Sequence, residues 1–427
     1  MLDFYVDLAE KTDGQPEAYQ SRWNCDGTFW VWEYEKNRSP EQFQKLLSRI
    51  RDGHITVPIN PLVEAYGGAP LEAILRGMYY AGTLERKYNL SFPLFTPIEN
   101  QALPYGLGAL YAGCGAKYAW KGICGCASRI EDAWDREHDI YWWVGPDGSR
   151  ILMKWNSMLA GNTNMGGYAE ARDPAAAIEL VETNLDFQRR YPYKIIGIFG
   201  KGWDDLKTLT NEFVSIVREK TNNQRQVIVS NEVDFFRDFE AVYGNQLPQI
   251  SCSFGNEWEI YNASLAEVSA QVKRTVEKLR GAEALASLVQ LFTPEANVGE
   301  EEKRELAFMN FARFYDHDWT ADSPVISRDD RAAWQRGLVE TMTDYVENLF
   351  STSAGRLGDM ISTVNGTSFY VFNSLSWMRT DIAYFLYKDS SSYHIIDRVT
   401  GDEVPSQWVE REGGQYIQIL AMNIPPL

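Results

Sequence analysis

A mixed α/β fold is predicted by three patterns that follow one another along the chain. Short apolar runs alternate with helical patterns from about residue 20 to 240, amphipathic helical patterns fill about 264–350, and strand alternation with turn residues begins near 358. Alternating strands and helices are typical of a mainly parallel sheet wrapped by helices, either open or closed as a barrel. We therefore expect a (β/α) barrel-like catalytic domain with mainly parallel strands, then a helical bundle, then the start of a β-sandwich domain.

The changes of pattern also place the domain boundaries. We predict an α/β catalytic domain over residues 1–250, a helical bundle over 251–355 and a β domain over 356–427. The last domain has only a few strands before Pro425-Pro426, and a small sheet with an open edge is marginally stable. We therefore expect the parent protein to continue past residue 427.

Apolar runs and helix start signals predict the elements of the first domain. Ser39 is a predicted N-cap, with Pro40 at the first helical position and Gln42 as its capping-box partner. The pair Asp173-Pro174 opens another helix. Apolar runs bounded by turn residues are typical of buried strands. Five such runs are residues 55–57, 92–95, 151–155, 195–199 and 227–229.

Two apolar stripes predict the helical bundle. Ser264 and Glu267 form a predicted capping box before the first stripe. The helical spacing of the apolar residues indicates a core rather than a cofactor-binding face. The stripes consist of Val268, Val272, Val276 and Leu279, and of Leu338, Met342, Tyr345 and Leu349.

Composition excludes several classes of partner. A net charge of −18 argues against nucleic acid and anionic membrane surfaces, which require clustered Lys and Arg, and it suits a neutral substrate or a bound cation. No stretch approaches 18 continuous apolar residues, so no membrane span is predicted. Five irregularly spaced cysteines predict reduced thiols rather than a disulfide framework. The lack of a signal-peptide pattern after Met1 favours the cytoplasm, and the oligomeric state stays open, a homo-oligomer included.

A short acidic motif around His317 is the most informative stretch of the chain. His317 lies between Asp316 and Asp318 at the end of an aromatic-rich helical segment, and it is one of four histidines. A histidine beside a carboxylate can bind a divalent metal while the other carboxylate binds a polyol. The alternative is a histidine held by two surface aspartates beyond a helix.

Further carboxylates follow two of the predicted strands, where reactive groups gather in α/β sheets and barrels. Glu99 follows the second apolar run, and Asp204 and Asp205 follow the fourth. Adjacent aspartates resist ionising together, so one of them can serve as a general acid. Two carboxyl groups about 5–5.5 Å apart across a sugar are typical of a retaining glycosidase. The alternative is that Asp204 and Asp205 cap a helix while Glu99 pairs with Lys117 or Lys121.

The order of these motifs resembles glycoside hydrolase family 38, the class II α-mannosidases. The resemblance covers nearly the whole chain through several moderately specific motifs. Residues 60–76 resemble the loop and helix start Gly-Glu-Ser-Leu-x-Arg, 96–115 the nucleophile segment, 202–206 Gly-Asp-Asp-Phe, 230–236 the next strand and helix, 315–320 His-His-Asp-Ala-x-Thr, and 371–379 the Phe-Asn-Pro-Leu-Ser-Trp strand.

This resemblance implies roles for the candidate residues. Glu99 would be the nucleophile, and Asp204 or Asp205 the acid/base. His317 would bind zinc, with Glu99 as a further metal ligand, and Asp318 would bind sugar hydroxyls. We add Asp26, in the loop 23–27, and Asn100, beside Glu99, as candidate sugar-binding residues.

The chain also departs from the family pattern. The family's His-x-Asp, which supplies two of its four zinc ligands, is absent, and residues 1–5 resemble the helix after that strand, so we expect an N-terminal truncation that could have removed a signal. The nucleophile position holds Glu99 rather than Asp. Since catalytic zinc sites usually have three protein ligands, His317 with one carboxylate would hold zinc or another divalent cation poorly, so this truncated chain could be metal-free and inactive even if its full-length parent is active.

The sequence therefore predicts a retaining glycoside hydrolase that acts on a carbohydrate, without nucleic acid or membrane as partner. Two alternatives stay open. One is a catalytically degenerate carbohydrate-binding member of the same fold. The other is a different carbohydrate-active enzyme on this scaffold, working through a metal without a covalent intermediate.

Overall fold

A computed structural model gives the fold. It describes residues 1–98, 102–121, 136, 138–155, 174–199, 212–255, 257–296, 299–317, 326–361, 366–388, 392–411 and 413–426. The predicted mixed α/β fold is confirmed, with a sheet of mainly parallel strands, many helices and an antiparallel sheet near the C-terminus. By internal contacts the chain divides into two compact units, Met1–Val272 with Lys303–Met342, and Lys273–Glu302 with Thr343–Leu427. The three-domain division stays a prediction.

The helices and strands are numbered in chain order. The helices are α1 Leu2–Thr12, α2 Thr28–Asn37, α3 Pro40–Arg51, α4 Leu71–Gly77, α5 Tyr79–Tyr88, α6 Leu107–Gly113, α7 Pro174–Thr183, α8 Leu185–Arg190, α9 Glu212–Lys220, α10 Glu232–Tyr243, α11 Ala266–Phe292, α12 Glu301–Phe314 and α13 Arg328–Met360. The strands are β1 Trp23–Asn24, β2 Ile55–Thr56, β3 Leu94–Phe95, β4 Tyr118–Lys121, β5 Ile140–Val144, β6 Arg150–Trp155, β7 Gln249–Ile250, β8 Arg379–Leu386, β9 Ser406–Arg411 and β10 Gly414–Ile424. Short 3-10 helices are Glu17–Tyr19, Gly244–Gln246 and Glu257–Leu265.

The main sheet has the strand order β3-β4-β6-β5-β7. Strands β3, β4 and β6 are parallel, β5 runs antiparallel to β6, and β7 runs parallel to β5. Strands β1 and β2 form a separate parallel pair. The backbone N–H of Ile59 donates to the Leu94 carbonyl at 2.7 Å, which joins the end of β2 to β3. The ends of β1, β2, β3, β4 and β6 therefore form one border, called the carboxyl edge below.

Both faces of the main sheet are covered. Ala119, Ile151 and Met153 belong to a large core on one face. Residues that alternate with them, such as Trp120 and Leu152, pack on the other face in a core shared with α10. A parallel sheet covered on both sides is typical of α/β proteins.

Three of the five predicted strand runs contain strands, namely β2, β3 and β6. The runs 195–199 and 227–229 form no strand among the described residues. Their backbone groups have other partners, because the Ile195 carbonyl accepts from the Tyr191 hydroxyl at 2.8 Å and Val229 N–H donates to the Ala18 carbonyl at 3.0 Å. Those two strand predictions are wrong.

The helix start signals had mixed outcomes. The capping box at Ser39 and Gln42 is confirmed, with reciprocal hydrogen bonds of 3.3 and 3.1 Å. The capping box at Ser264 is wrong. Ser264 lies inside a 3-10 helix, its hydroxyl donates to the Tyr261 carbonyl at 2.9 Å, and α11 begins at Ala266.

The second unit includes a three-stranded antiparallel sheet of order β8-β10-β9. Its small core contains Ile417, Ile419 and Ala421. Most residues of β8 and β9 are exposed. Among the described residues, no helix has both the length and the apolar composition required to cross a membrane.

Candidate functional site

The loops after β1 and β2 meet at the carboxyl edge. Thr28 N–H donates to the Asn60 carbonyl at 3.2 Å, and Phe29 N–H donates to the Pro61 carbonyl at 3.1 Å. A Cβ atom on Gly27 would lie 2.0 Å from the Pro61 carbonyl oxygen, so only glycine permits this approach. The half-buried Asp26, which precedes Gly27, is thereby held beside the loop after β2.

A buried asparagine joins that loop to the end of β3. The Asn60 Oδ1 accepts from Thr96 N–H at 2.9 Å, and its Nδ2 donates to the Leu62 carbonyl at 3.0 Å. Two residues further on, Ile98 packs against Val63. The chain is therefore fixed on Val63 immediately before it reaches residue 99.

His317 is fixed on the same residue, Val63. Its backbone N–H donates to the Val63 carbonyl at 2.8 Å, and its ring Nδ1 lies 3.2 Å from that oxygen. Asp316 and Glu64 pair as an antiparallel bridge, and Ala65 N–H donates to the Tyr315 carbonyl at 2.7 Å. The fold thus brings His317, the predicted metal ligand, and Ile98, the residue before Glu99, into contact with Val63. His317 and Val63 are 254 positions apart in the sequence.

Glu64 is a buried carboxyl group beside this histidine segment. Its side chain is only 1% exposed, and its Oε1 meets no hydrogen-bond partner among the described residues. Burial chiefly, and the charge of Asp316 in addition, raise the pKa of Glu64 well above its usual value. The environment of Glu64 therefore favours the neutral carboxylic acid.

A second buried carboxyl group lies at the end of β1. Glu232 is the first residue of α10, is 5% exposed, and donates its backbone N–H to Asn24 Oδ1 at 3.0 Å. Burial chiefly, and the charge of Asp26 in addition, raise the pKa of Glu232 to about 8 against the opposing ammonium group of Lys154. Glu232 and Asp26 therefore interact at the carboxyl edge.

Two buried lysines lie at the same edge, near the ends of β4 and β6. Lys154 Nζ is 4.3 Å from the ring centroid of Trp120 and donates to the Trp155 carbonyl at 3.0 Å. Lys121 Nζ is 5.9 Å from the ring centroid of Trp155. Because buried ammonium groups need compensating partners, these lysines offset part of the negative charge of the neighbouring carboxylates.

The structure describes two of the predicted site residues, Asp26 and His317. Both belong to the carboxyl edge, through the loops after β1 and β2. The others lie outside the described residues, and their positions and roles stay predictions. They are Glu99, Asn100, Asp204, Asp205 and Asp318.

The described residues do not by themselves complete a zinc site. They contain no group of three or more His, Cys, Asp or Glu side chains that could hold a metal ion. The contact between His317 Nδ1 and a backbone carbonyl is typical of a metal-ligating histidine, but one such ligand is too few. Zinc therefore stays a prediction.

The sequence prediction did not include Glu64 or Glu232. Glu232 follows the apolar run 227–229 closely, so the strand-end rule that selected Glu99 could have selected it as well. Glu64 follows β2 by eight positions, and nothing local in the sequence indicates that it is buried.

Comparison with known proteins adds a fold relationship. Neither a family model nor a curated protein sequence matches this chain. The structure of an alpha-mannosidase from Enterococcus faecalis V583 is similar over 100% of this chain and 52% of its own, with a TM-score of 0.70 and 15% identity. A protein in the glycosyl hydrolase family 38 from Enterococcus faecalis is similar over 100% of this chain and 50% of its own, with a TM-score of 0.65 and 16% identity. The chain therefore spans about half the length of these two proteins and has a fold of the glycoside hydrolase family 38 type.

Proposed function

We propose that the protein is a retaining glycoside hydrolase that resembles α-mannosidases and acts on a carbohydrate through a covalent glycosyl-enzyme. The observation that carries the proposal is the meeting of Ile98 and His317 on Val63. It supports the proposal because Ile98, the last described residue before Glu99, and His317 both lie at the carboxyl edge, the side of an α/β sheet where catalytic residues gather. The similarity in fold to an alpha-mannosidase supports the same conclusion.

In the first step, a carboxylate oxygen of Glu99 would attack the anomeric carbon while the glycosidic C–O bond breaks. Asp204 or Asp205 would give its proton to the leaving oxygen. In the second step, the same aspartate would take a proton from water, the water oxygen would bond to the anomeric carbon, and the Glu99 carboxylate would be released. Asp26, Asn100 and Asp318 would bind sugar hydroxyl groups.

A divalent cation, zinc in the first instance, is part of the proposal but no step above depends on it. His317 would be one ligand and Glu99 another. When bound, such an ion would polarise sugar oxygens. Elemental analysis of the purified protein, compared with that of a His317→Ala variant, tests metal binding without any activity measurement.

The nucleophile is tested with an activated aryl α-mannoside. We expect Glu99→Gln to lower kcat at least about 10³-fold, because the amide cannot form the covalent intermediate. Glu41→Gln changes an exposed glutamate in α3 and should leave the rate unchanged. Full activity of Glu99→Gln would remove Glu99 from the mechanism.

Trapping separates the alternatives. A 2-deoxy-2-fluoro glycoside should label the peptide that contains Glu99, as detected by mass spectrometry. Turnover without labelling would favour a metal-dependent enzyme with no covalent intermediate. Binding of sugar in calorimetry without any product would favour a degenerate carbohydrate-binding protein.

A further inference from the structure

Arg313 lies beside the carboxyl edge, in the last turn of α12 and four residues before His317. Its Cζ atom is 5.9 Å from the ring centroid of Phe29 and 5.3 Å from that of Trp334. Phe29 follows Asp26 by three residues, and its backbone N–H is bonded to the loop after β2. The guanidinium group is therefore held by two aromatic rings close to the predicted sugar-binding loop.

Most of the hydrogen-bonding capacity of Arg313 is unused within the described part of the chain. Its Nη1 donates to Asn310 Oδ1 at 3.0 Å, and Asn310 is itself buried. Among the described residues, no carboxylate forms an ion pair with the guanidinium group. Since a guanidinium carries five N–H donors in one plane, Asn310 orients the group and leaves donors for a ligand.

The charge of Arg313 is incompletely compensated. The side chain is half-buried, and burial lowers the pKa of Arg313 below its usual value, which the charge of Glu33 opposes only in part. The guanidinium group is nevertheless a cation at any physiological pH. In a chain of net charge −18, a shortage of acidic residues does not explain the missing carboxylate. A half-buried cation of this kind fits an anionic ligand.

Two exposed tryptophans lie beside the same group. Trp334 in α13 and Trp30 in α2 are each 39% exposed, and the Trp30 ring centroid is 5.1 Å from that of Phe29. Trp32 in the same helix is buried instead, and its indole N–H donates to Glu305 at 2.6 Å. Exposed aromatic faces next to a few fixed polar groups are typical of small-molecule binding sites. The surface formed by Phe29, Trp30, Arg313 and Trp334 therefore combines a cation with accessible ring faces.

We propose that Arg313 is a specificity-determining residue that binds an anionic group, a carboxylate or a phosphate, on the carbohydrate substrate, while Trp30 and Trp334 pack against the sugar. This inference rests on the proposed function for the carbohydrate nature of the ligand. A guanidinium gives two parallel hydrogen bonds to either anion, and hydrogen bonds to charged groups are stronger than those to hydroxyl groups. The anionic group would be a local exception to the neutral substrate that the net charge of −18 favours.

The test is calorimetry with three sugars that differ at carbon 6, namely D-mannose, D-mannuronate and D-mannose 6-phosphate. We expect the wild type to bind one of the two anionic sugars at least about 10-fold more tightly than mannose, and the tighter one identifies the anion as carboxylate or phosphate. Arg313→Gln should weaken binding of that sugar by about 10-fold or more and leave the affinity for mannose unchanged.

Two further variants accompany Arg313→Gln. Arg313→Lys keeps the charge but loses the planar pair of donors, so its affinity for the anionic sugar should be intermediate. It also serves as the test if the glutamine variant does not fold. The matched control is Arg304→Gln, which removes an exposed arginine of the same helix whose Cζ lies 5.9 Å from the ring centroid of Tyr79. It should bind all three sugars as the wild type does.

Several results would overturn the inference. They are equal affinity of the wild type for the three sugars, no binding of any of them, and a preference for the anionic sugar that survives in Arg313→Gln. Equal weakening of all three sugars in Arg313→Gln would show that Arg313 only holds the helices together, and would overturn it as well.

Hydrolysis of the aryl α-mannoside is measured separately, so that the two proposals can fail independently. Hydrolysis without any preference for an anionic sugar would leave the proposed function standing and overturn the role of Arg313. Binding of an anionic sugar that depends on Arg313, without hydrolysis of any glycoside, would support the role of Arg313 and overturn the proposed hydrolase.

Discussion

The sheet around β6 and the sheet around β10 differ in how they are covered. All four residues of β4 and five of the six residues of β6 are buried, whereas no residue of β8 is. In the first sheet, charged groups are confined to the strand ends, as with Lys121 and Lys154. In the second, polar and apolar residues share an exposed surface. A charged residue is therefore informative about function in the covered sheet and uninformative in the exposed one.

The largest expected effect tests the covered sheet. Ile151 in β6 is 0% exposed, and we expect Ile151→Ala to lower the free energy of unfolding by about 2–5 kcal/mol, because it removes buried methyl groups and leaves a cavity. Urea denaturation followed by tryptophan fluorescence measures this change. If an isoleucine-to-alanine substitution in β8 lowered the free energy of unfolding as much, the two sheets would not differ in how well they are covered.

An intermediate effect concerns pH and the buried carboxyl group at the end of β1. Burial, with the charge of Asp26, raises the pKa of Glu232 from 4.5 to about 8, so in this window the folded state holds a proton that the unfolded state has lost. Stability should then fall as the pH rises from about 4.5 to 8, whereas Glu232→Gln lacks this dependence and keeps the backbone bond to Asn24.

The measurement is urea denaturation of both proteins at pH 5 and pH 8. The unfolding free energy of the variant minus that of the wild type should increase by about 3–4 kcal/mol between these conditions. Glu302→Gln replaces an exposed glutamate, and its unfolding free energy should change between pH 5 and pH 8 by the same amount as that of the wild type. If the unfolding free energies of Glu232→Gln and the wild type also changed by the same amount, Glu232 would be ionised in the folded protein at pH 5.

The smallest expected effect belongs to the exposed sheet. Ile382 in β8 is 40% exposed, and Ile382→Ala should change the free energy of unfolding by no more than about 0.5 kcal/mol. This variant is also the matched control for Ile151→Ala, since residue type and substitution are the same. A loss of similar size at both positions would indicate that β8 is covered in solution.

Much of the fold was predictable because the covered sheet leaves apolar runs in the sequence. Residues 151–155 show this, with four apolar residues in the run that forms most of β6. The two-residue strands β1 and β7 are too short to leave a periodic pattern, and the aromatic strand β5 was missed. The run 195–199 has the composition of a strand, but composition does not determine whether a neighbour is available for pairing.

The site was less predictable because its contacts are distant in sequence. Asp26 and His317 were selected from local motifs, and both are at the carboxyl edge. The contact between His317 and Val63 spans 254 residues. Pairings over such distances follow from the assembled fold and leave no local signature.

The buried amide of Asn60 has a consequence for how this protein can be altered. At the junction of β2 and β3, the hydrogen bonds of the Asn60 side chain hold the two chain segments together, as backbone hydrogen bonds do elsewhere in the sheet. Random mutagenesis aimed at a new specificity should therefore yield few active clones at position 60. The same holds at position 27, where any side chain would collide with the Pro61 carbonyl oxygen. Diversity is better introduced at exposed positions near them, such as Trp30, where substitutions leave both junctions intact.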